Sequence, residues 1–244
     1  MSPAPFFRKD LGPLKKSKGL KAGLFNLLIA VAVLVGLGLL FYPTVSNWLN
    51  ERNASKAIAD YSHVVEEMDT ADIQRMLDEA RTYNQGLVGN AGRFEPTEED
   101  TAKYNSILDV SGTGIMGYVE IPSIGVKLPI YHGTDDAVLQ VAAGHIEGSS
   151  LPVGGENTHV AISGHCGLPS AKLFTKLDTL AVGDEFNLSV LGETLNYKID
   201  DIVVVLPDDF SPLVIEGGAD QVTLITCTPY GVNSHRLMVR GTRA

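Results

Sequence analysis

The stretch VTLITCTPYGVNSHRL, residues 222–237, contains both a predicted pair of strands and the candidate reactive side chains of this chain. A β-rich run ends on Cys227, a turn with proline and glycine follows, and Arg236 comes nine residues after the cysteine. Two neighbouring strands joined by such a turn would hold the thiol and the guanidinium side by side at their ends. The pattern therefore predicts a strand–turn–strand unit that presents a nucleophile next to a fixed positive charge.

Other short runs rich in β-branched residues precede and follow this unit, and turn residues separate them. The predicted strands are 126–131, 159–163, 185–190, 194–199, 202–206, 222–226 and 237–240, with a strand-like run at 118–122 before them. One short helix is expected around 171–177. Many short strands at this spacing favour a mainly β barrel or sandwich over a parallel α/β sheet. We therefore expect a β domain over residues 116–244.

The N-terminal part of the chain has a different composition. Residues 1–21 carry six basic side chains and one acidic one, a balance of +5, although the whole chain has a formal net charge of −10. The remainder is therefore strongly acidic, which argues against a nucleic-acid-binding body.

Residues 22–50 contain no charged side chain, and the apolar run 22–42 is long enough to cross a bilayer. Tyr42 and Trp48 near its end are typical of a membrane interface. A cleaved signal peptide is the alternative, but the run is long for one and lacks a clear cleavage site. With the basic residues before the span, the N-terminus is expected in the cytoplasm and the body outside the cell.

Between the span and the β domain, residues 43–90 show apolar residues at helical spacing. They are expected to form membrane-proximal helices that meet near Asp69. Residues 91–115 lose this periodicity and are rich in glycine and acidic residues, so we expect a loop there that could act as a lid.

The candidate catalytic groups are few. The chain has two cysteines, Cys166 and Cys227, too few for a disulfide framework and without a zinc-type spacing. A reactive thiol needs a basic or positive neighbour. Among six histidines, His165 is weakly favoured because it follows a strand between glycines, and a pair of buried thiols beside a surface arginine remains the alternative at this point.

Longer sequence motifs favour a reactive thiol at Cys227 over a structural one. The run TLITC at 223–227 resembles the signature of sortases, the membrane-anchored cysteine transpeptidases of Gram-positive bacteria, and the similarity continues through TPYGVN and HRL. Residues 164–168, 129–134 and 151–155 resemble the same family, over roughly residues 45–243 in all. The sequence around Cys227 is most similar to class C, the pilus-assembling branch.

The resemblance implies an eight-stranded sortase-type β-barrel without a cofactor or a metal site. It implies Cys227 as nucleophile, His165 as acid/base and Arg236 as transition-state stabiliser, with Thr226 and Thr228 as substrate contacts. The implied substrate is a surface or pilin protein with an LPxTG-like sorting signal, cleaved between Thr and Gly through a thioacyl-enzyme. The implied acceptor is an amine, either a pilin lysine or a cell-wall peptide amine.

Three features depart from the family pattern. An Asp-Pro-aromatic lid motif has only Phe94-Glu95-Pro96 as its counterpart, although the loop at 89–99 could still cover the cleft. Many class C members have a second hydrophobic segment after the barrel, and the sequence ends at Ala244 without one, so it either lacks that segment or was cut. Cys166 stands where the family more often has arginine, and could form an oxidised pair with Cys227.

Two other functions fit part of the pattern. A cell-wall cysteine hydrolase of the papain or P60 type would place its cysteine before its histidine, whereas His165 precedes Cys227 here. A membrane-anchored binding module without activity would have no need for Cys227, His165 and Arg236 together. Both alternatives are therefore less favoured than the transpeptidase.

Overall fold

The computed structural model describes residues 18–110 and 112–244, with side chains described from residue 23 apart from residue 111. The chain divides into two compact units, Met1–Tyr42 and Pro43–Ala244. The first 17 residues of the predicted basic segment 1–21 lie outside the described residues.

Helix α1 runs from Lys18 to Glu67 and contains Pro43. Its apolar side chains between Leu24 and Tyr42 are exposed, and by length and composition the helix could cross a membrane. The sequence predicted separate helices from residue 43, whereas no new helix begins there.

Two further helices belong to the second unit. Helix α2 covers Thr70–Leu87, so the predicted break near Asp69 is confirmed, with Asp69 as its N-cap. Helix α3 covers Glu98–Ser106, inside the segment 91–115 that the sequence predicted as a loop. Thr97 and Asp100 form a capping box at its start, and the acidic first turn favours the N-terminal end of the helix dipole. The prediction missed α3 because the helix is short and buries a single side chain.

That buried side chain is Tyr104, which fastens α3 to the barrel. Its hydroxyl accepts a hydrogen bond from the Gly133 N–H at 3.0 Å and lies 2.9 Å from His145 Nδ1. One phenol therefore holds α3 against two barrel segments.

The eight strands close into a barrel in the order β1-β2-β3-β4-β7-β8-β6-β5. The predicted eight-stranded, mainly β fold is confirmed. The strands are β1 Ile115–Ile121, β2 Val126–His132, β3 Ala143–His145, β4 Thr158–Ser163, β5 Glu185–Val190, β6 Glu193–Val205, β7 Asp220–Thr228 and β8 His235–Arg243. Adjacent pairs are antiparallel except β2/β3 and β4/β7. A four-residue helix, α4 at Asp136–Leu139, precedes β3.

Three details differ from the sequence prediction. The two strands expected at 194–199 and 202–206 are one 13-residue strand, β6, with a register shift between Ile199 and Asp201. The acidic pair there interrupts the apolar alternation without ending the strand, because a bulge absorbs one residue. The short helix expected at 171–177 is absent from this described region, where a 3₁₀ turn at Leu177–Thr179 follows instead. Strand β3 was missed because its three residues are too few to show a period.

Helices α1 and α2 are part of the domain core. Tyr61 of α1 donates its hydroxyl proton to the Met116 carbonyl at 3.0 Å and accepts the Leu191 N–H at 2.8 Å. Asn84 of α2 donates to the Leu151 carbonyl at 3.0 Å and accepts the Leu151 N–H at 2.7 Å. These buried polar bonds fix both helices to the barrel in one register, which apolar contacts alone would specify less sharply.

We expect Asn84→Leu to destabilise the domain, because it leaves the N–H and C=O of Leu151 buried without partners. Each unsatisfied group costs about 1–3 kcal/mol, so the free energy of unfolding should fall by about 2–6 kcal/mol. Urea unfolding measures it. Gln85→Leu, at the exposed next position of α2, is the control and should change stability little; equal stability of the two variants would contradict the assignment.

Candidate active site

Cys227 and Arg236 face each other across strands β7 and β8. The register pairs these two residues directly, followed by Thr228 with His235 at the end of the ladder. Directly opposed residues point to the same side of a sheet, with Cβ atoms about 4.5–5.5 Å apart. Both side chains are half-buried. The thiol and the guanidinium are therefore neighbours at the strand ends, as the sequence pattern predicted.

They lie on the outer face of the barrel. Leu224 and Val239 pack in the main barrel core, whereas Ile225 and Met238 belong to a second apolar cluster with Ala161. Since side chains alternate along a strand, Cys227 shares the face of Ile225. Cys227 thus sits at one end of an outward-facing apolar surface.

The guanidinium of Arg236 is held by the turn that precedes it. Its Nη1 donates to the carbonyl oxygens of His235 at 3.1 Å and Asn233 at 3.3 Å. Asn233 has a φ of +60°, a conformation that asparagine tolerates better than most residues. The turn therefore fixes the arginine, while the planar group still has donors on its other nitrogens for an oxygen anion.

His165 follows β4, the neighbour of β7 on the other side. The Gly164 N–H donates to Ile225 O at 3.0 Å, and Gly164 O accepts the Thr226 hydroxyl at 2.7 Å. His165 itself is half-buried, and its carbonyl accepts the Phe174 N–H at 3.1 Å. The residue before it, Gly164, is thus tied to β7 one and two residues before Cys227.

Gly164 is required by packing. A Cβ added there would meet the ring of Phe174 at 2.7 Å, which real Cβ atoms do not tolerate. Gly167 is limited in the same way by Tyr230, at 2.8 Å, and has a φ of +82°. The glycines that flank His165 therefore let two aromatic rings pack directly on the backbone. The sequence showed the glycines but not which rings they accommodate.

The remaining barrel histidines have structural surroundings. Burial lowers the pKa of His145 to about 4, so its ring is neutral at pH 7. Burial also lowers the pKa of His159, whose ring lies within hydrogen-bonding distance of two oxygens. The two ring nitrogens of His132 lie beside backbone carbonyls. Two histidines lie at the thiol-bearing strand end, His165 and His235. His235 precedes Arg236 on β8, so its side chain points to the opposite face of the sheet, and its Nδ1 lies 2.9 Å from Ser234 Oγ.

The two threonines that flank Cys227 differ in burial and hydrogen bonding. Thr226 is buried, and its hydroxyl donates a hydrogen bond to the Gly164 carbonyl. Thr228 is half-buried and precedes a cis peptide bond to Pro229. Thr228 is therefore the better placed of the two for contact with a substrate, whereas Thr226 links the nucleophile strand to the histidine. Both substrate contacts stay predictions.

The second cysteine lies near the first. Cys166 and Cys227 are both free thiols. Burial raises the pKa of Cys166, with smaller contributions from Asp178 and Cys227. Since the thiolate is the reactive form, this environment makes Cys166 less reactive than an ordinary cysteine. No group of three or more His, Cys, Asp or Glu side chains suited to a metal ion occurs in the described part of the chain.

The segment between α2 and α3 packs along the outer apolar cluster. Phe94 stacks on Phe210 of the β6–β7 connection with ring centroids 4.9 Å apart, and the Arg93 guanidinium lies 4.2 Å from the Phe94 ring centre. Arg93 also donates to Gly148 O at 2.7 Å and to Leu213 O. The loop around Phe94 therefore borders the surface that leads to Cys227, without the Asp-Pro-aromatic motif.

Removing the Phe94 ring should expose this surface. In a Cys166→Ala background, we expect Phe94→Ala to raise the rate at which a bulky thiol reagent modifies Cys227 by about 3- to 10-fold, the effect of about 1 kcal/mol of lost stacking. Val214→Ala, at an exposed position of the same β6–β7 connection, is the matched control. An unchanged rate in Phe94→Ala would rule out a covering role.

Thr226 allows a second test. Thr226→Val should displace His165 by removing the donor to Gly164 O, so formation of the thioacyl adduct on Cys227 should slow about tenfold, equivalent to one hydrogen bond. Thr226→Ser keeps the hydroxyl and should keep the wild-type rate. Equal slowing in both variants would contradict the role of this hydrogen bond.

Known proteins share this arrangement of fold and motifs. A family model for the sortase domain matches residues 119–244. The structure resembles sortase C1 from Streptococcus agalactiae, at 48% identity and a TM-score of 0.73, covering 78% of this chain and 98% of that one. It also resembles sortase C of Streptococcus pneumoniae, at 45% identity and a TM-score of 0.70, covering 78% and 96%.

Sequence similarity extends to another branch of the same family. Sortase A of Streptococcus agalactiae serotype III is 25% identical over 213 residues, which cover 84% of this chain and 81% of that protein. The matched family model spans more than half of the chain, and the similar structures are class C enzymes. The chain belongs to the sortase family of cysteine transpeptidases.

Proposed function

We propose that this protein is a membrane-anchored class C sortase that cleaves an LPxTG-like sorting signal between Thr and Gly and transfers the acyl part to an amine. The observation that carries the proposal is the register that pairs Cys227 with Arg236, with His165 joined to the same strand end. A nucleophile, an acid/base and a fixed cation at one point are what two-step acyl transfer requires.

In the first step the Cys227 thiolate attacks the Thr carbonyl carbon. A C–S bond forms, and the carbonyl oxygen carries the negative charge of the tetrahedral intermediate. Arg236 is suited to stabilise this oxygen because its guanidinium is always charged and the turn holds it in place. The C–N bond to Gly then breaks, and His165 supplies the proton that the leaving amine needs.

In the second step an amine attacks the thioester carbonyl. The C–N bond forms as the C–S bond breaks, the amine proton passes to His165, and Cys227 is released. A thioester conserves the acyl energy of the cleaved peptide bond, so no external energy source is needed. Keeping water away from the thioester favours transfer over hydrolysis.

The apolar outer face next to Cys227 suits the Leu-Pro part of such a signal. Ala161, Ile225 and Met238 form its floor, and Leu213 of the β6–β7 connection packs against them. Apolar side chains of a peptide would gain about 25 cal/mol for each Å² that they bury there. Phe94 packs against part of this surface in the structure, so binding of the signal requires the α2–α3 segment to move.

The acceptor is proposed to be a pilin lysine, with a cell-wall peptide amine as the alternative. Similarity to class C enzymes supports the pilin: the Streptococcus pneumoniae relative is described in terms of pilin substrate specificity, and a Group B Streptococcus relative, 39% identical with a TM-score of 0.68, as pilus-related. These descriptions concern those proteins, and their similarity to this chain is the reason for the proposal.

The proposed location is the cell membrane of a Gram-positive bacterium. Residues 22–42 would form a single-pass anchor, since the first part of α1 is apolar and exposed. The basic segment 1–21 would stay in the cytoplasm, and residues 116–244 would act outside the cell, with residues 43–90 as membrane-proximal helices.

The direct test uses the full chain in detergent, as wild type and as Phe94→Ala, with an LPxTG peptide and a lysine-containing peptide. We expect a thioacyl adduct on Cys227 by mass spectrometry and an amine-dependent ligation product. Cys227→Ala should give neither. A hydrolase would release free acid regardless of the amine, and an inactive binding module would form no adduct in either form of the protein.

Arg236 gives the quantitative prediction. Arg236→Lys keeps the charge but loses the planar fork, so kcat/KM for adduct formation should fall by about 100-fold, the range for loss of one oxyanion donor. Arg243→Lys is the matched control because Arg243 lies seven residues further along the same strand, with its guanidinium 5.5 Å from the centre of the Tyr197 ring. Similar losses in both variants would argue against the role of Arg236.

A further inference from the structure

The leaving Gly amine and the acceptor amine of the proposed reaction must occupy the same space next to Cys227. This inference rests on the proposed function. The Gly amine leaves from the carbonyl carbon to which the acceptor amine later bonds. The acyl chain stays attached to Cys227 throughout, so it cannot move aside for the acceptor. The leaving amine and the incoming amine therefore approach Cys227 from the side opposite the acyl chain.

The two sides of Cys227 are distinct in this structure. Along β7, Ile225 and the apolar floor precede the cysteine, and the turn with Tyr230 follows it. If the acyl part lies over Ile225, the amine side lies toward Tyr230. His165 continues in the same direction into Gly167, on which the Tyr230 ring packs.

A groove of about 390 Å³ opens at this turn. Its walls are Thr44 and Asn47 of α1, the segment from Leu168 to Lys172 after β4, and Tyr230. The Asn47 Oδ1 accepts the Lys172 N–H at 2.8 Å, which fastens the helix wall to the loop wall. Tyr230 is 67% exposed, so its ring offers a free face to a ligand.

We propose that this groove is the acceptor subsite, which binds an extended peptide whose primary amine reaches Cys227. The apolar sides of Leu168, Pro169 and the Tyr230 ring match the aliphatic stem of a lysine. Lys172 at the rim disfavours a second cation and so favours the neutral amine, the form with a lone pair for attack. Helix α1 thereby contributes to the choice of acceptor.

The resolving step balances without another reactant. The acceptor nitrogen bonds to the thioester carbonyl carbon, the C–S bond breaks, and the nitrogen loses one proton to His165. That proton, or one from water, returns the Cys227 thiolate to a thiol. The groove only positions the amine. Filling the groove should therefore slow the reaction of a large acceptor and leave the reaction of a small one unchanged.

The experiment fills the groove and compares two acceptors on the full chain. We expect Thr44→Trp to raise KM for a lysine-containing peptide at least about tenfold, because the indole occupies the space that the peptide needs. Release of the same thioacyl-enzyme by hydroxylamine should stay within about twofold, since this amine is small. Pro169→Trp, on the opposite wall, should act in the same way.

Ser55→Trp, at an exposed position of α1 outside the groove, is the matched control and should change neither value. An unchanged peptide KM in both groove variants would overturn the proposal, as would equal losses with peptide and hydroxylamine. Failure of the proposed function itself would look different, because the wild-type protein would then form no thioacyl adduct at all.

Discussion

Strand β7 is hydrogen-bonded to β4 on one side and to β8 on the other, and the position of each proposed catalytic group depends on these two registers. The antiparallel ladder sets Arg236 opposite Cys227, and the bonds from Gly164 to Ile225 and Thr226 bring His165 to the same end. A slip by one residue would turn Cys227 into the barrel interior. Leu224, fully buried inside the barrel, makes such a slip costly.

The apolar outer face of β7 has to be covered for stability and accessible for the proposed function. An apolar surface in the open would invite non-specific association, and here the Phe94 segment and the β6–β7 connection border it. The same surface is the proposed seat of the sorting signal. If the signal binds there, the Phe94 segment has to be weakly held, and one aromatic stack with a few hydrogen bonds from Arg93 fits that requirement.

Sequence patterns predicted the elements with a clear period or a specific motif. The barrel strands, the break near Asp69 and the pairing of Cys227 with Arg236 follow from alternation, helical spacing and turn residues. The sequence did not predict helix α3, because its nine residues bury a single tyrosine and therefore show no apolar periodicity. The Thr226 bond to Gly164 could not be foreseen either, because the two residues are 62 positions apart and meet only through the β4–β7 pairing.

The bond from Asn47 to the backbone of Lys172 joins residues 125 positions apart, and it lies just after the apolar run of α1. Enzymes with an N-terminal anchor are commonly shortened to make them soluble. A version of this chain that began a few residues after Asn47 would keep Cys227, His165 and Arg236, and would still fold around Tyr61. It would nevertheless lack the α1 side of the groove next to Tyr230. The ratio of hydrolysis to transfer measured on such a protein would then describe the shortened form rather than the full chain.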